Sequence, residues 1–363
     1  MKADYDLGAV ARQFQIGGEF LSAEPYGSGH INDSYCVTFN CKGAPARAIV
    51  QRINHQIFKH PVAMMHNIER VTAHLAAKVS GDPDRDRRVL SLIRAHDGQA
   101  WHLDRDGNYW RAYRFIPHTR SYDAVETPEQ AYHAGKAFGH FQKLLADLPA
   151  PRLHDTIPDF HHTPKRFAAL VEAVQTDAAG RVKTSQQEID FAFAREAITG
   201  QLLAAGLPER VTHNDTKLNN VLLDEQTGEA ICVIDLDTVM PGLALYDFGD
   251  MVRTATSPAQ EDERDLSKVT MQFPMFEALA RGYLASAGDF LSIEEKQHLA
   301  FSGKLITFET GLRFLADHLN GDTYFKIHRE GQNLDRCRTQ FKLVQSIEEQ
   351  EERMRELILS NRS

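Results

Sequence analysis

His213-Asn-Asp-Thr-Lys-Leu-Asn-Asn220 and, ten residues further on, Ala230-Ile-Cys-Val-Ile-Asp-Leu-Asp237 bring more chemistry together than any other part of the chain. The first places a carboxylate, an ammonium and a carboxamide at Asp215, Lys217 and Asn220. Phosphoryl transfer to a hydroxyl needs an acceptor for the hydroxyl proton, a cation near the phosphate and oxygen ligands for magnesium, and this octapeptide supplies one of each. Asp215 is the expected base, Lys217 the cation and Asn220 a metal ligand. The second stretch is an apolar run that closes on carboxylates. Magnesium takes a few carboxylate oxygens and keeps water and phosphate oxygens as its other ligands, so an acid at a strand end suits it. Asp235 is therefore the expected primary ligand. Asp237 stands open between a second ligand, an acceptor-binding group and the cap of the turn at Pro241-Gly242. A polar loop that merely caps a helix is the plainer account of a lone His-x-Asp. All these residues at this spacing, with the second motif behind them, favour the chemistry.

Outward from these motifs the periodicity differs on the two sides. Residues 20–120 read as strands: Tyr35-Cys-Val-Thr-Phe39 alternates, residues 48–53, 89–93, 100–103 and 109–116 are strand-like, and His96-Asp-Gly98 and Arg105-Asp-Gly-Asn108 carry the Asp-Gly signal of a hairpin. One interruption, over 61–78, has apolar residues at 62, 65, 68, 71, 72 and 75, the stripe of an amphipathic helix. From 128 onward the period is helical, over 128–148, 164–174, 186–205, 265–287, 293–318 and 335–359, with a two-strand insert around the catalytic motifs. The expected fold is α+β and two-lobed, like a protein kinase: a small antiparallel sheet with one inserted helix, then a larger, mainly helical lobe. Pro117-His-Thr-Arg120 is the expected junction, which gives a nucleotide lobe over 1–116 and a catalytic and acceptor lobe over 117–363.

With 363 residues, 42% hydrophobic and 25% charged, the chain has the composition of a globular protein. A net charge of −9 argues against a nucleic-acid surface, while a triphosphate needs only a few cations gathered in one pocket. The opening Met1-Lys-Ala-Asp-Tyr-Asp is acidic where a signal peptide is basic, and no segment approaches the roughly 20 apolar residues that cross a bilayer. A cytoplasmic setting is expected, with no membrane and no obligatory protein partner. The four cysteines form no CxxC pair and are expected to be reduced packing residues. His154, Asp159, His161 and His162 lack metal-ligand spacing and are read as loop and capping residues.

These motifs resemble the aminoglycoside phosphotransferase and choline kinase superfamily, whose catalytic loop is HxDxxxxN and whose metal aspartate lies about 15 to 20 residues beyond it, as in protein kinases. Here Asp235 follows Asn220 by 15 residues. Within the superfamily, Val211-Thr-His-Asn-Asp-Thr-Lys-Leu-Asn-Asn220, Ile234-Asp-Leu-Asp-Thr-Val-Met-Pro-Gly242, Tyr246-Asp-Phe-Gly-Asp250 and Gly311-Leu-Arg-Phe-Leu-Ala-Asp317 are similar to the bacterial N-acetylhexosamine 1-kinases, over about residues 25–347. The resemblance implies a magnesium-dependent transfer from ATP to the anomeric hydroxyl of GlcNAc or GalNAc. It makes Tyr26-Gly27-Ser28-Gly29-His30 a nucleotide loop, with Gly27, Ser28 and Gly29 at the phosphates and His30 facing phosphate or acceptor. Tyr113 and Phe115, closing the last strand of the small lobe, would flank the adenine; an edge strand packed in the core accounts for them nearly as well. Arg313, Tyr324 and Asp237 would meet the sugar, Arg313 sharing a helix face with Asp317 at i, i+4.

Asp247-Phe-Gly249 spells the metal triplet of protein kinases, but it lies 27 residues beyond Asn220 with no apolar strand before it. The resemblance implies instead that Asp247 braces the catalytic loop through backbone amides, as the matching aspartate does in these families, and Asp250 is expected to pair with Arg253. Where kinases carry a phosphate-binding lysine on the third strand, this chain has Gln51, with Arg52 on the opposite face and Glu69 on the inserted helix. Rival accounts are another hydroxyl acceptor (an amino alcohol, homoserine or an aminoglycoside), a nucleotide-binding regulator without turnover, and a metal-dependent hydrolase built on Asp215, Asp235 and Asp237.

Overall fold

Alternating side chains set the first third of the chain into strands, and helical periodicity governs most of the rest. The computed structural model describes residues 5–27 and 31–360. In chain order it runs through α1 (Leu7–Ala11), β1 (Glu19–Pro25), β2 (Asp33–Cys41), β3 (Ala44–Ile53), α2 (Pro61–Lys78), α3 (Arg85–Arg88), β4 (Leu92–Ile93), β5 (His102–Leu103), β6 (Tyr109–Arg114) and β7 (Thr119–Arg120). Helices α4 (Pro128–Leu145), α5 (Thr163–Thr176), α6 (Gln186–Phe193) and α7 (Gln201–Ala204) lead to β8 (Arg210–Thr212), β9 (Val221–Asp224), β10 (Ala230–Val233) and β11 (Met240–Gly242). Then come α8 (Ala244–Ala255), α9 (Phe273–Ala287), α10 (Ile293–Leu319), α11 (Gln332–Glu348) and α12 (Glu351–Ser360). The chain divides into two units: Met1–Arg120, Asp147–Ile157 and Leu222–Met240 make one, and Ser121–Ala146, Pro158–Val221 and Pro241–Ser363 the other.

The first unit is built on an antiparallel sheet of order β1-β2-β3-β6-β4, with β5 also on β6. Val37, Phe39, Ala48, Val50, Trp110 and Ala112 bury one face against Val10, Ala11 and Phe14. The register sets Ser34 opposite Gln51 and Gln51 opposite Arg111, so these three polar side chains form one row across β2, β3 and β6 on the other face. Helix α2 starts at Pro61, whose fixed φ suits the first turn, and its Lys78 favours the C-terminal end of the dipole. Met64, Met65, Ile68, Val71 and Leu75 are its buried stripe, each worth roughly 1.5–3 kcal/mol when fully removed from water. β10, β9 and β7 form a second small sheet, over Ile116, Ile231 and Cys232.

In the second unit α4 and α9 approach through glycines. A Cβ at Gly282 would fall on the carbonyl of Tyr132, and one at Gly139 would lie 2.8 Å from that of Tyr283. Helix α10 opens with a capping box in which Ser292 Oγ accepts from Glu295 N at 3.1 Å and Glu295 Oε2 from Ser292 N at 2.7 Å. Its Phe308, Leu312, Leu315 and Leu319 then enter a core with Phe167, Leu170, Phe341 and Val344.

Three expected helices are broken; over 265–287 a single 3-10 turn (Leu266–Lys268) precedes α9, which starts only at Phe273. Residues 186–205 fold as α6, a single 3-10 turn over Glu196–Ile198 and α7, with Gly200 weakening the run just before α7. The stretch 335–359 separates into α11 and α12, where Glu348, Glu349, Glu351 and Glu352 crowd like charges onto neighbouring turns. All four cysteines are free thiols. Among the described residues, no helix is long and apolar enough to cross a membrane.

Candidate active site

The catalytic loop lies in the second unit, between β8 and β9, and its backbone is fixed from beneath. Asp247, wholly buried on α8, accepts from His213 N at 2.9 Å, from Asn214 N at 2.7 Å and from Gln142 Nε2 at 2.6 Å. Gln142 is held in turn by Tyr283 Oη at 2.6 Å. One turn on, Asp250 accepts from Thr216 N at 2.8 Å and pairs with Arg253 at 2.8 Å. Asn214 adopts a left-handed backbone (φ 66°), which asparagine tolerates better than most residues. His213 is buried, with its ring against Phe138 and Phe141. The brace expected of Asp247 and the Asp250–Arg253 pair are both present.

On this frame Asp215, Lys217 and Asn220 converge. Lys217 Nζ lies 2.7 Å from Asp215 Oδ1, and Asn220 Nδ2 donates to Asp215 Oδ2 at 3.1 Å and to Asp215 O at 2.8 Å. Burial pushes the Asp215 carboxyl up, but Lys217, His213 and Arg253 together bring it below the ordinary value. Lys217 is raised, chiefly by Asp215 and despite burial. An ionised carboxylate and a protonated amine thus stand side by side at neutral pH.

In the first unit β10 delivers Asp235, which is exposed and left-handed at φ 60° and ψ 60°. Aspartate, like asparagine, enters this region more readily than most residues, and it stays there where the surroundings hold it. Here they do. Leu236 and Asp237 are buried just after it, and Val239 O accepts from Asn67 Nδ2 of α2 at 3.1 Å. Asp237 makes a close ion pair with Arg111 of β6, and its other oxygen accepts from Asn32 Nδ2 at 2.6 Å. Asn32 Oδ1 accepts from Asn54 N at 2.9 Å, which fixes the loop. Both oxygens of Asp237 are therefore engaged within the fold.

Of the expected nucleotide residues, Ser28, Gly29 and His30 lie outside the described residues. Gly27 has φ 80°, open to glycine at no steric cost, and its neighbour Tyr26 packs edge-on to Phe115 with ring centroids 5.8 Å apart. Arg47 covers Phe115 at 3.8 Å. Tyr113 is buried, Arg111 lies over its ring at 5.3 Å, and its hydroxyl has no hydrogen-bond partner among the described residues. Burial, partly offset by Arg111, pushes that phenol well up.

Around the expected acceptor residues of the second unit, Arg313 lies over Phe160 at 5.3 Å and over Phe325 at 5.4 Å, and Tyr324 packs on Phe325 at 4.8 Å. The structure thus brings Arg313 and Tyr324 to one cluster. Asp317 forms no ion pair with Arg313. It caps the following turn, accepting from Thr323 N at 2.9 Å, Tyr324 N at 2.8 Å and Phe325 N at 3.0 Å, because a buried carboxylate must be met by donors.

Other contributors were not anticipated. Arg166 donates to Phe160 O at 2.8 Å, and burial followed by the charge of Arg313 pushes it down. Buried His161 bonds Glu309 at 2.8 Å and Asn214 O at 3.4 Å, tying the catalytic loop to α10 one turn before Arg313. Asp159 pairs with Lys165 at 2.6 Å and His162 caps α5, so these residues serve the loop. Arg111 carried the one sequence signal that invited notice, an arginine inside the apolar strand Tyr109–Arg114.

Comparison with known proteins bears on the fold and the family. One similar solved structure is a microcompartment-associated aminopropanol kinase, 17% identical, with 96% of this chain and 98% of that chain covered at a TM-score of 0.62. A spectinomycin phosphotransferase in complex with ADP and spectinomycin is 13% identical, with 95% and 97% covered at a TM-score of 0.60. An ethanolamine kinase of Plasmodium vivax is 13% identical, with 87% and 80% covered at a TM-score of 0.52. At these identities the likeness speaks for the fold, which is that of aminoglycoside and choline kinases. The profile of the phosphotransferase enzyme family (APH) matches residues 22–286, most of the chain, and the protein belongs to that family.

Proposed function

We propose that this chain transfers the γ-phosphoryl group of ATP to the anomeric hydroxyl of an N-acetylhexosamine, GlcNAc or GalNAc, giving the sugar 1-phosphate and ADP. The observation that carries the phosphotransfer is the grouping of ionised Asp215, protonated Lys217 and Asn220 on a loop braced by Asp247. Residues 1–116 would serve the nucleotide and 117–363 the catalytic loop and acceptor, in the cytoplasm, where the four thiols stay reduced.

Asp215 accepts the proton of the attacking hydroxyl as its oxygen closes on phosphorus, and its lowered pKa keeps it ready to do so. Lys217 keeps that carboxylate ionised and sets a positive charge beside the phosphoryl group in transit. Gly27, Ser28 and Gly29 offer backbone amides to the phosphates, and Tyr113 and Phe115 the walls for the base. The oxygen donors Asn220 and Asp235 suit a hard cation, and Asp235 fits best, as an exposed acid just beyond the end of β10. Magnesium bound there would neutralise phosphate charge. Asp237, with both oxygens engaged, belongs to the scaffold in this mechanism rather than to the acceptor.

The sugar is favoured over an amino alcohol by the cluster at Phe160. Arg313 covers the ring faces that would otherwise cage an ammonium, and Arg166 adds a second guanidinium. A cationic acceptor would meet like charge there, whereas sugar hydroxyls accept from both arginines. His30, Arg313 and Tyr324 are the proposed acceptor contacts.

Coupled ADP detection with MgATP against free sugars, amino alcohols, homoserine and aminoglycosides tests this. Turnover is expected with N-acetylhexosamines, and the product should be acid-labile with phosphorus coupling to the anomeric proton. A product phosphorylated at C6, or turnover with amino alcohols alone, would refute the sugar assignment. Arg313→Ala should raise the sugar KM by at least about tenfold and leave the ATP KM within about twofold; equal changes in both would remove Arg313 from the acceptor site.

A further inference from the structure

The cation that kinases place on the third strand is missing, and the residues expected around that position are committed elsewhere. Arg52 pairs with Asp33 at 2.6 Å, and Glu69 is paired with Arg94. Gln51 stands in the middle of the row across the sheet: its Nε2 donates to Ser34 Oγ at 2.8 Å, and its Oε1 accepts from Arg111 Nε at 2.8 Å. The row runs on from Arg111 Nη1 to Asp237 Oδ1, and from Asp237 Oδ2 to Asn32. Every link of this chain is a donor meeting an acceptor. Arg111 and Asp237 are both at least 97% buried.

We propose that the Arg111–Asp237 pair replaces the third-strand lysine and its helix glutamate, with Arg111 a positioning residue that acts through Asp237 to hold the Asp235 turn in its metal-binding form. The inference rests on the phosphotransfer proposed above. A glutamine at position 51 now has a physical reason. A lysine there would set a second cation directly opposite Arg111, whereas a carboxamide accepts from the guanidinium and donates to Ser34. A guanidinium also suits the task, because its fixed fork reaches Gln51 and Asp237 at once while keeping its charge when buried. Asp235 lies two residues before Asp237 and is within the electrostatic reach of Arg111, so the same side chain fixes the turn and sets its potential. On the same face, the buried Tyr113 hydroxyl has no partner among the described residues, as expected beside a site completed by a ligand.

The test is ADP binding by calorimetry, with and without magnesium and without acceptor, together with thermal melting. Arg111→Met should weaken ADP binding in magnesium at least about tenfold while changing metal-free ADP binding by less than about threefold. It also strands the Asp237 charge and should lower Tm, so the double variant Arg111→Met/Asp237→Leu is the decisive one. Apolar residues in place of a buried ion pair commonly restore stability. Tm should therefore recover in the double variant while magnesium-dependent ADP binding stays at least about tenfold weak. Glu69→Gln should leave binding within about twofold. Recovery of both properties in the double variant would reduce the pair to a fold element and overturn the inference alone. A wild-type protein that binds no ADP in magnesium would instead overturn the phosphotransfer proposal, and this inference with it.

Discussion

Asp215→Asn is expected to lower kcat by at least about 10²-fold while leaving nucleotide affinity within about tenfold. The side chain keeps its shape and can still accept from Asn220 Nδ2, but it can no longer take a proton, and it loses the ion pair with Lys217. The pH dependence follows from the same pair. Burial alone would raise the Asp215 carboxyl, and the net lowering comes mainly from Lys217. A base is competent above its pKa, so kcat should stay level from about pH 8 down through about 5 as far as Asp215 controls it. Lys217→Met removes the opposing charge and leaves burial dominant, so the acid limb of kcat should move toward neutral pH as well as the rate falling. The stability term has the matching sign: a folded-state pKa below the unfolded one adds stability above the unfolded value, lost as pH falls through the folded one. An Asp215→Asn enzyme with near wild-type kcat at saturation, or a Lys217→Met profile with an unmoved acid limb, would end the base assignment.

Where a short motif fixes both backbone and chemistry, the sequence was legible. The amphipathic stripe from 61 to 78 is α2, residue for residue, and the apolar run at Ala230–Val233 is a strand with Asp235 just beyond its end. The brace from Asp247 was implied by the family resemblance, in which the matching aspartate bonds backbone amides. Arg111 could not be placed in that way. Its role depends on the register Gln51↔Arg111 and on a turn more than a hundred residues later, and neither leaves a local trace. Asp317 failed for the same reason. Spacing i, i+4 puts it on the face of Arg313, but three amides of the next turn claim its oxygens, and helical periodicity carries no information about that turn. The breaks in 186–205 and 335–359 went unseen because apolar spacing continues across them, while the cost at Gly200 and in the glutamate run is spread over several residues.

Asp235→Asn and Asp247→Asn should separate metal binding from loop architecture. Asp235 is exposed, and asparagine tolerates its left-handed backbone, so the substitution should lower Tm less than Asp247→Asn does. Removing a charged oxygen ligand should raise the magnesium needed for half-maximal rate at least about tenfold, with a comparable or larger fall in kcat. Asp247 is wholly buried and accepts from three N–H groups. In an asparagine the new NH₂ would face a donor, and burial with an unmet donor costs about 1–3 kcal/mol. That unmet donor should show as lowered Tm and a displaced His213–Asn214 backbone, with kcat reduced. The magnesium midpoint should stay within about twofold of wild type. Titration of rate against magnesium, with melting curves for both variants, decides the matter. If Asp247→Asn shifts the midpoint and Asp235→Asn does not, the Asp247-Phe-Gly249 triplet holds the metal and the strand-end carboxylate does not.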